Sequence, residues 1–233
     1  MTSTRSVAGA ARAVVASWSG GKDSTLMLES LLADPDVEVV ALLTTVTAGY
    51  DRVSIHGVRR AILDRQAAAL HLPLEVAEIP MQSSNPEYEG AFSHALARLR
   101  DRWPGLDTVA FGDLYLVEVR EYREALLGRL GWEGLYPLWG LDTRQLAHEF
   151  IARGHRAILT CVDTTQLAAS FAGRPYDEAL LADLPATADP CGENGEFHSC
   201  LVGGPLLSDE LPVRLGERVL RDGRFQYCDL MLD

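Results

Sequence analysis

Lysine is almost missing from this sequence. Of its 21 basic residues, 20 are arginine and only Lys22 is lysine. Positive charge is scarce altogether: 33 acidic residues leave the 233-residue chain with a formal charge of −12. That balance disfavours broad nucleic-acid binding, which needs a basic footprint, but leaves room for a local site for one nucleotide. Cysteines number four (Cys161, Cys191, Cys200 and Cys228) and form no C-x-x-C pair. A zinc ribbon or a thioredoxin-like redox site is thereby disfavoured, and reduced thiols in a cytoplasmic setting are expected. No apolar run approaches the ~20 residues that span a bilayer, so no membrane partner is expected. The first residues, MTSTRSVAGAARAVV, are interrupted by Arg12 and make a poor signal peptide. Neither G-x-x-x-x-G-K-[ST] nor G-x-G-x-x-G occurs, which sets aside a Walker loop and a dinucleotide oxidoreductase.

What is present is ordinary globular composition, 47% hydrophobic and 23% charged, in a chain long enough for one large domain or one domain with a smaller appendage. Buried-strand and helix patterns alternate in the first half. Strands are expected at Ala13–Trp18, Val37–Val46, Leu74–Ile79 and Thr108–Phe111. Helices are expected at Ser24–Leu32, Val58–Leu70, Glu87–Arg102 and Glu118–Leu130. This order predicts an α/β fold, a Rossmann-like three-layer α/β/α arrangement around a parallel sheet. After Gly134 the texture changes. A helix is expected over Thr143–Arg153 and a strand over Arg156–Val162. Short pieces follow, then two closing strands, Pro212–Arg221 and Arg224–Leu230, joined at Asp222-Gly223. The division expected is a nucleotide-binding domain over 1–133 and a smaller α+β substrate-binding subdomain over 134–233.

The most informative segment is Ser19-Gly20-Gly21-Lys22-Asp23-Ser24, between the first strand and the first helix. Consecutive glycines let backbone N–H groups approach an anion, and a helix start adds donors and partial positive charge. Lys22 adds a full charge, and the hydroxyls of Ser19 and Ser24 can donate to phosphate oxygens. Asp23 would repel a phosphate unless a divalent cation lay between them, so Mg2+ is implied, with Asp23 as its ligand. The bland alternative is a plain strand–helix turn; the sole lysine of the chain inside that turn weighs against it. The segment resembles the pyrophosphate-binding loop of the N-type ATP pyrophosphatases, which cleave ATP between its α and β phosphates and adenylylate a substrate.

A second polar segment is Asp189-Pro190-Cys191-Gly192-Glu193-Asn194-Gly195-Glu196-Phe197-His198-Ser199. Its carboxylates, amide and imidazole can bind a cation, position ammonia or hold a substrate; Glu193 and Glu196 are candidate cation ligands and His198 a candidate proton-transfer group. A solvated turn explains the same residues. The segment is similar to the late motif of the diphthine–ammonia ligase family. Further similarities to that family are Ser54-Ile55-His56, Gln66-Ala67, Leu72-Pro73-Leu74, Phe111-Gly112-Asp113, Tyr136-Pro137-Leu138-Trp139 and Gly203-Gly204-Pro205-Leu206. Together they cover nearly the whole chain. Ser199 stands where members often have threonine, and Leu114-Tyr115-Leu116-Val117 follow Asp113 where smaller residues are more usual.

The resemblance implies an ATP-dependent ligase that adenylylates a carboxylate, releases pyrophosphate and amidates the carboxylate with ammonia. The acceptor implied is protein-bound diphthine or, since the lysine-poor composition fits a GC-rich bacterium and bacteria do not make diphthamide, a small molecule. Catalytic candidates are Lys22, Asp23, Asp113, Glu193, Glu196 and His198. Candidates for holding ATP are Ser19, Gly20, Gly21, Lys22, Asp23, Ser24, His56 and Gly112. Arg120 and Arg123 can neutralise a carboxylate or phosphate or form a solvated helix face, and Trp139 reads as core or interface, with a homodimer possible. Cys191 reads as structural, and His71, His94, His148 and His155 as surface. Two other functions compete: an ATP- or AMP-binding sensor without turnover, and a tRNA-thiolation-type pyrophosphatase, which the acidic charge and missing C-x-x-C oppose.

Overall fold

The computed structural model describes residues 11–49, 52–53 and 57–233. His56, expected near ATP, lies outside them, as do Ser54 and Ile55. The first sheet is built from β1 (Arg12–Ser17), β2 (Val37–Thr47), β4 (Leu74–Ile79), β5 (Thr108–Ala110) and β6 (Glu133–Leu135), with the two-residue β3 (Arg52–Val53) antiparallel on β2. β1 pairs with β2 and β5, β2 with β4, and β5 with β6, all parallel, so the parallel order is β4–β2–β1–β5–β6. The crossovers are α1 (Lys22–Ala33), α2 (Arg60–Ala69), α3 (Asn85–Arg102) and α4 (Val117–Arg129).

Alternation along the central strands produces the three layers. Val14, Ala16 and Leu42 face a cluster with Met27, Leu28, Ile62 and Leu63 of α1 and α2. Their neighbours Val15, Ala41 and Leu43 face the other way, against Phe92, Leu96, Leu99, Leu126 and Leu127 of α3 and α4. A strand covered on both faces reads as a continuous apolar run, as β2 does. Helix α3 starts from a capping box: the Ser84 N–H donates to the Glu87 carboxylate at 2.8 Å, and the Ser84 hydroxyl bonds the same oxygen. Helix α1 has no such side-chain cap; its N-cap is Gly21.

After α5 (Thr143–Ala152), the strands β7 (Arg156–Asp163), β8 (Phe197–Gly203), β9 (Val213–Arg221) and β10 (Phe225–Leu232) form a second, antiparallel sheet in the order β8–β7–β10–β9, with the short helix α6 (Glu178–Asp183) beside it. Its apolar residues, among them Leu159, Cys200, Leu201 and Leu230, join the cluster under α1 and α2. Asp222 and Gly223 both have positive φ, 52° and 60°, as a two-residue hairpin turn requires.

Three strands escape the sequence patterns. β3 and β6 have only two and three residues, and β8 starts inside a stretch whose Gly and Glu content reads as loop. His155 is not on the surface: it is buried against Phe150, ring centroids 5.1 Å apart, with Nε2 3.3 Å from Glu29. It follows Gly154, whose positive φ of 82° turns the chain inward at the end of α5.

Candidate active site

The Ser19–Ser24 turn and the Asp189–Ser199 segment line one cavity of about 200 Å³ at the carboxyl ends of β1 and β5. Open α/β sheets place their ligands at that edge. Ser17, Ser19, Gly21, Lys22, Asp23 and Ser24 form one wall; Phe111, Gly112 and Arg123 a second; Gly192, Glu193, Gly195, Phe197, His198 and Ser199 a third.

Close backbone approach is built into the first two walls. Gly20 has φ +77°, and a Cβ there would meet Leu63 Cδ2 at 2.6 Å. A Cβ on Gly112 would lie 2.9 Å from the Asp23 carbonyl oxygen, so only glycine lets the end of β5 pass under the start of α1. With Gly21 as N-cap and no capping side chain, the first amides of α1 stand beside the cavity.

Lys22 is nearly sealed. Its ammonium donates to both oxygens of Asp23, at 2.6 and 2.7 Å, and sits 5.7–5.8 Å from the ring centres of Phe197 and Tyr176. Burial works against the ammonium, but the Asp23 carboxylate outweighs it, so Lys22 holds its proton more firmly than a free lysine. Ser24 Oγ donates to the Gly21 carbonyl at 2.9 Å, and Ser19 Oγ lies 3.2 Å from it.

Glu193 reaches across to the second wall. Its Oε1 accepts from the Leu114 N–H at 2.8 Å, beside the start of α4. Burial lifts its carboxyl to about 7; the Leu114 amide resists that rise and the Asp23 charge adds to it. Glu196 is 1% exposed and turns away from the cavity, its Oε1 accepting from the Asp189 N–H at 2.8 Å and from Asn194 Nδ2 at 3.1 Å. Asp113 also stands behind the wall, 2.7 Å from Arg123 Nε, while Arg123 covers the Phe111 ring at 4.4 Å and lines the cavity. Arg120 packs between the rings of Tyr136 and Trp139, 4.6 and 4.7 Å from their centres. Cys191 is buried, its thiol pushed up to about 12 by that burial and donating to the Thr143 carbonyl at 3.2 Å.

Thus Ser19, Gly21, Lys22, Asp23, Ser24, Gly112, Glu193 and His198 share the cavity, and Glu196 and Asp113 support it from behind. Phe197 and Ser199 are cavity residues beyond the candidates, flanking His198 in the late motif. Among the described residues no three His, Cys, Asp or Glu side chains converge as a metal cage. The Asp23 side chain, although paired with Lys22, keeps 31% of its surface exposed at the cavity, which suits Mg2+ shared with phosphate oxygens, the usual way that ion is held.

Residues 12–133, more than half of the chain, match the family model described as diphthamide synthase N-terminal domain. The chain belongs to the diphthamide synthase family. Its sequence is also 27% identical over 229 residues to a diphthine–ammonia ligase of Schizosaccharomyces pombe, an alignment covering 91% of this chain and 38% of that protein. The chain therefore spans well under half the length of that curated relative. No helix among the described residues is long and apolar enough to cross a membrane.

Proposed function

We propose that this chain is an ATP-dependent, amide-forming ligase that adenylylates a carboxylate, releases pyrophosphate, and then amidates the carboxylate with ammonia. The observation that carries this reading is the shared cavity: a phosphate-type turn and a carboxylate-rich loop, 177 positions apart at Lys22 and Ser199, are hydrogen-bonded to each other at its floor. The curated relative's printed activity agrees with it.

In this reading ATP is a substrate, with its β- and γ-phosphates on the start of α1. The first-turn amides of α1 beyond Lys22, whose own N–H is held by Ser199, and the hydroxyls of Ser19 and Ser24 orient them, and Lys22 supplies fixed positive charge where negative charge spreads in the transition state. Asp23 would hold Mg2+ together with phosphate oxygens; the ion's contribution is charge neutralisation. The acceptor carboxylate attacks the α-phosphorus, the α–β bridging bond breaks, and pyrophosphate leaves. Ammonia then adds to the acyl carbon, the bond between that carbon and the AMP phosphate oxygen breaks, and AMP leaves with the electron pair, giving the amide. Glu193, which titrates near neutrality, faces that step and takes the proton that the amine loses. Residues 1–133 form the nucleotide part and 134–233 the acceptor part. Arg123, which lines the cavity while paired with Asp113, is the arginine that would meet an acceptor carboxylate, which is protein-bound diphthine or a small molecule.

The test is product analysis with α-labelled ATP, Mg2+ and ammonium, with diphthine-bearing protein or metabolite fractions as acceptor. AMP that appears only with an acceptor, and not with Lys22→Ala, supports the ligase. ATP binding without AMP from any acceptor makes the chain a nucleotide-binding module without turnover.

A further inference from the structure

Gln66 does not touch the cavity, yet its side chain is bonded to both halves of it. It is fully buried on α2. Its Oε1 accepts the indole N–H of Trp18, just past β1, at 2.9 Å. Its Nε2 donates to the Gly20 carbonyl at 3.1 Å and to the Leu201 carbonyl of β8 at 2.7 Å. The Leu201 N–H in turn donates to the Gly20 carbonyl at 2.7 Å. A carboxamide offers an acceptor and two donors, and here the acceptor and one donor serve the Trp18–Gly20 segment while the other donor serves β8. Glutamate would set an oxygen against two carbonyl oxygens. Leucine would leave the indole N–H without its partner, a costly change in a buried place.

The fit is mutual. A Cβ on Gly20 would lie 2.7 Å from Gln66 Oε1, so the left-handed turn at Gly20 and the carboxamide occupy adjoining space. Gly20 leads directly into the amides of Gly21 and Lys22. Two residues before Leu201, the Ser199 hydroxyl accepts the Lys22 N–H at 3.2 Å.

We propose that Gln66 is a positioning residue that sets the Gly20–Lys22 backbone against β8, so that anion binding at the turn and the placement of His198–Ser199 belong to one hydrogen-bonded unit. This rests on the nucleotide reading above. The turn holds the pyrophosphate end of the nucleotide, and Gln66 acts on that end alone; the nucleoside end does not depend on it.

Two ligands separate such a role from mere core packing. The full chain, with Mg2+, is titrated calorimetrically with inorganic pyrophosphate and, separately, with AMP. Gln66→Met, which keeps the length of the side chain and removes its polar bonds, and Gln66→Leu are compared with the wild type. The expected result is a pyrophosphate Kd raised about tenfold, the size of one or two lost hydrogen bonds, with the AMP Kd within about twofold. Adding Ser199→Ala to Gln66→Met weakens pyrophosphate binding by less than the product of the two single effects, because both act on one backbone segment. Unchanged pyrophosphate affinity in the variants overturns the inference while leaving the nucleotide reading intact. Equal weakening of both ligands, or loss of the fold in both variants, overturns it by assigning Gln66 to the core. Failure of the wild type to bind either ligand overturns the nucleotide reading, and the inference with it.

Discussion

The backbone N–H of Lys22 donates to the hydroxyl of Ser199 at 3.2 Å, across 177 positions of sequence. This bond joins the first amide of α1 to the strand that continues the late motif. It also explains the second glycine of the turn, since a Cβ on Gly21 would lie 2.8 Å from the Ser199 carbonyl oxygen. The turn and the late motif are thus two sides of one seam.

Ser199→Ala removes the acceptor and leaves a buried donor at the seam. The expected cost is about 1–2 kcal/mol in urea unfolding, together with weaker pyrophosphate binding. Ser199→Thr keeps the hydroxyl and suits a strand, so stability and binding should stay near wild type. Equal effects of both substitutions would show that the hydroxyl is irrelevant.

Gly112→Ala tests the second close approach. The added methyl meets backbone, the Asp23 carbonyl at 2.9 Å and the Ser24 nitrogen at 3.2 Å, and backbone has no rotamer to escape into. Displacing the start of α1 should cost roughly 1–3 kcal/mol of stability. AMP formation should fall on the order of a hundredfold, because small misplacements at a reacting centre have effects of that size. Wild-type turnover in this variant would mean that α1 does not position the phosphates.

Glu193 ties the reading to pH. Its carboxyl is raised to about 7 in the fold, from 4.5, chiefly by burial. Between those values the folded protein binds the extra proton, so this residue's contribution to stability falls as pH rises from about 4.5 to 7. Glu193→Gln removes that dependence while an amide oxygen can still accept from Leu114. The variant should gain on the order of 1 kcal/mol at pH 8 and nothing at pH 4. Amide formation should drop at the same time, the usual exchange of activity for stability at a strained site. A gain over wild type no larger at pH 8 than at pH 4 would place the Glu193 titration elsewhere.

Periodicity made most of the fold legible. β2 is a long, mostly apolar run, β4 a six-residue run broken only by Glu75 and Glu78, and α3 carries both its capping box and its apolar stripe in the sequence. β6 was not legible, because three residues pairing with Thr108–Ala110 hold no period. β8 was hidden for another reason: its Phe197–Ser199 start, two of whose three residues are polar, serves the cavity, so its composition reports function instead of strand. Within the site, Lys22 and the glycines were legible from the chemistry of anion binding. The division of labour in the late motif was not, since nothing local tells Glu193, which faces the cavity, from Glu196, which holds the loop to Asp189. The same limit applies to Gln66, whose partners lie 46, 48 and 135 positions away.

His155 shows what a burial missed by periodicity does to stability. Its ring is enclosed by Phe150, the backbone of Gly204 and the Glu29 carboxylate, with Arg153 nearby. Burial lowers its pKa below the ordinary 6.5; Glu29 opposes the change and Arg153 adds to it. Below pH 6.5 the unfolded chain therefore binds a proton that the folded chain resists, and stability falls as the solution is acidified, with a slope of at most about 1.4 kcal/mol per pH unit for one proton. Glu193 acts in the opposite sense over part of the same range, so the total slope is not diagnostic. The difference between wild type and His155→Gln is. The variant should be less stable at pH 8, where the packing against Phe150 is lost without compensation, and the gap should narrow steadily between pH 6.5 and 5. Parallel stability curves for the two proteins would mean that His155 takes up its proton equally well in both states, and that its burial costs the imidazolium nothing.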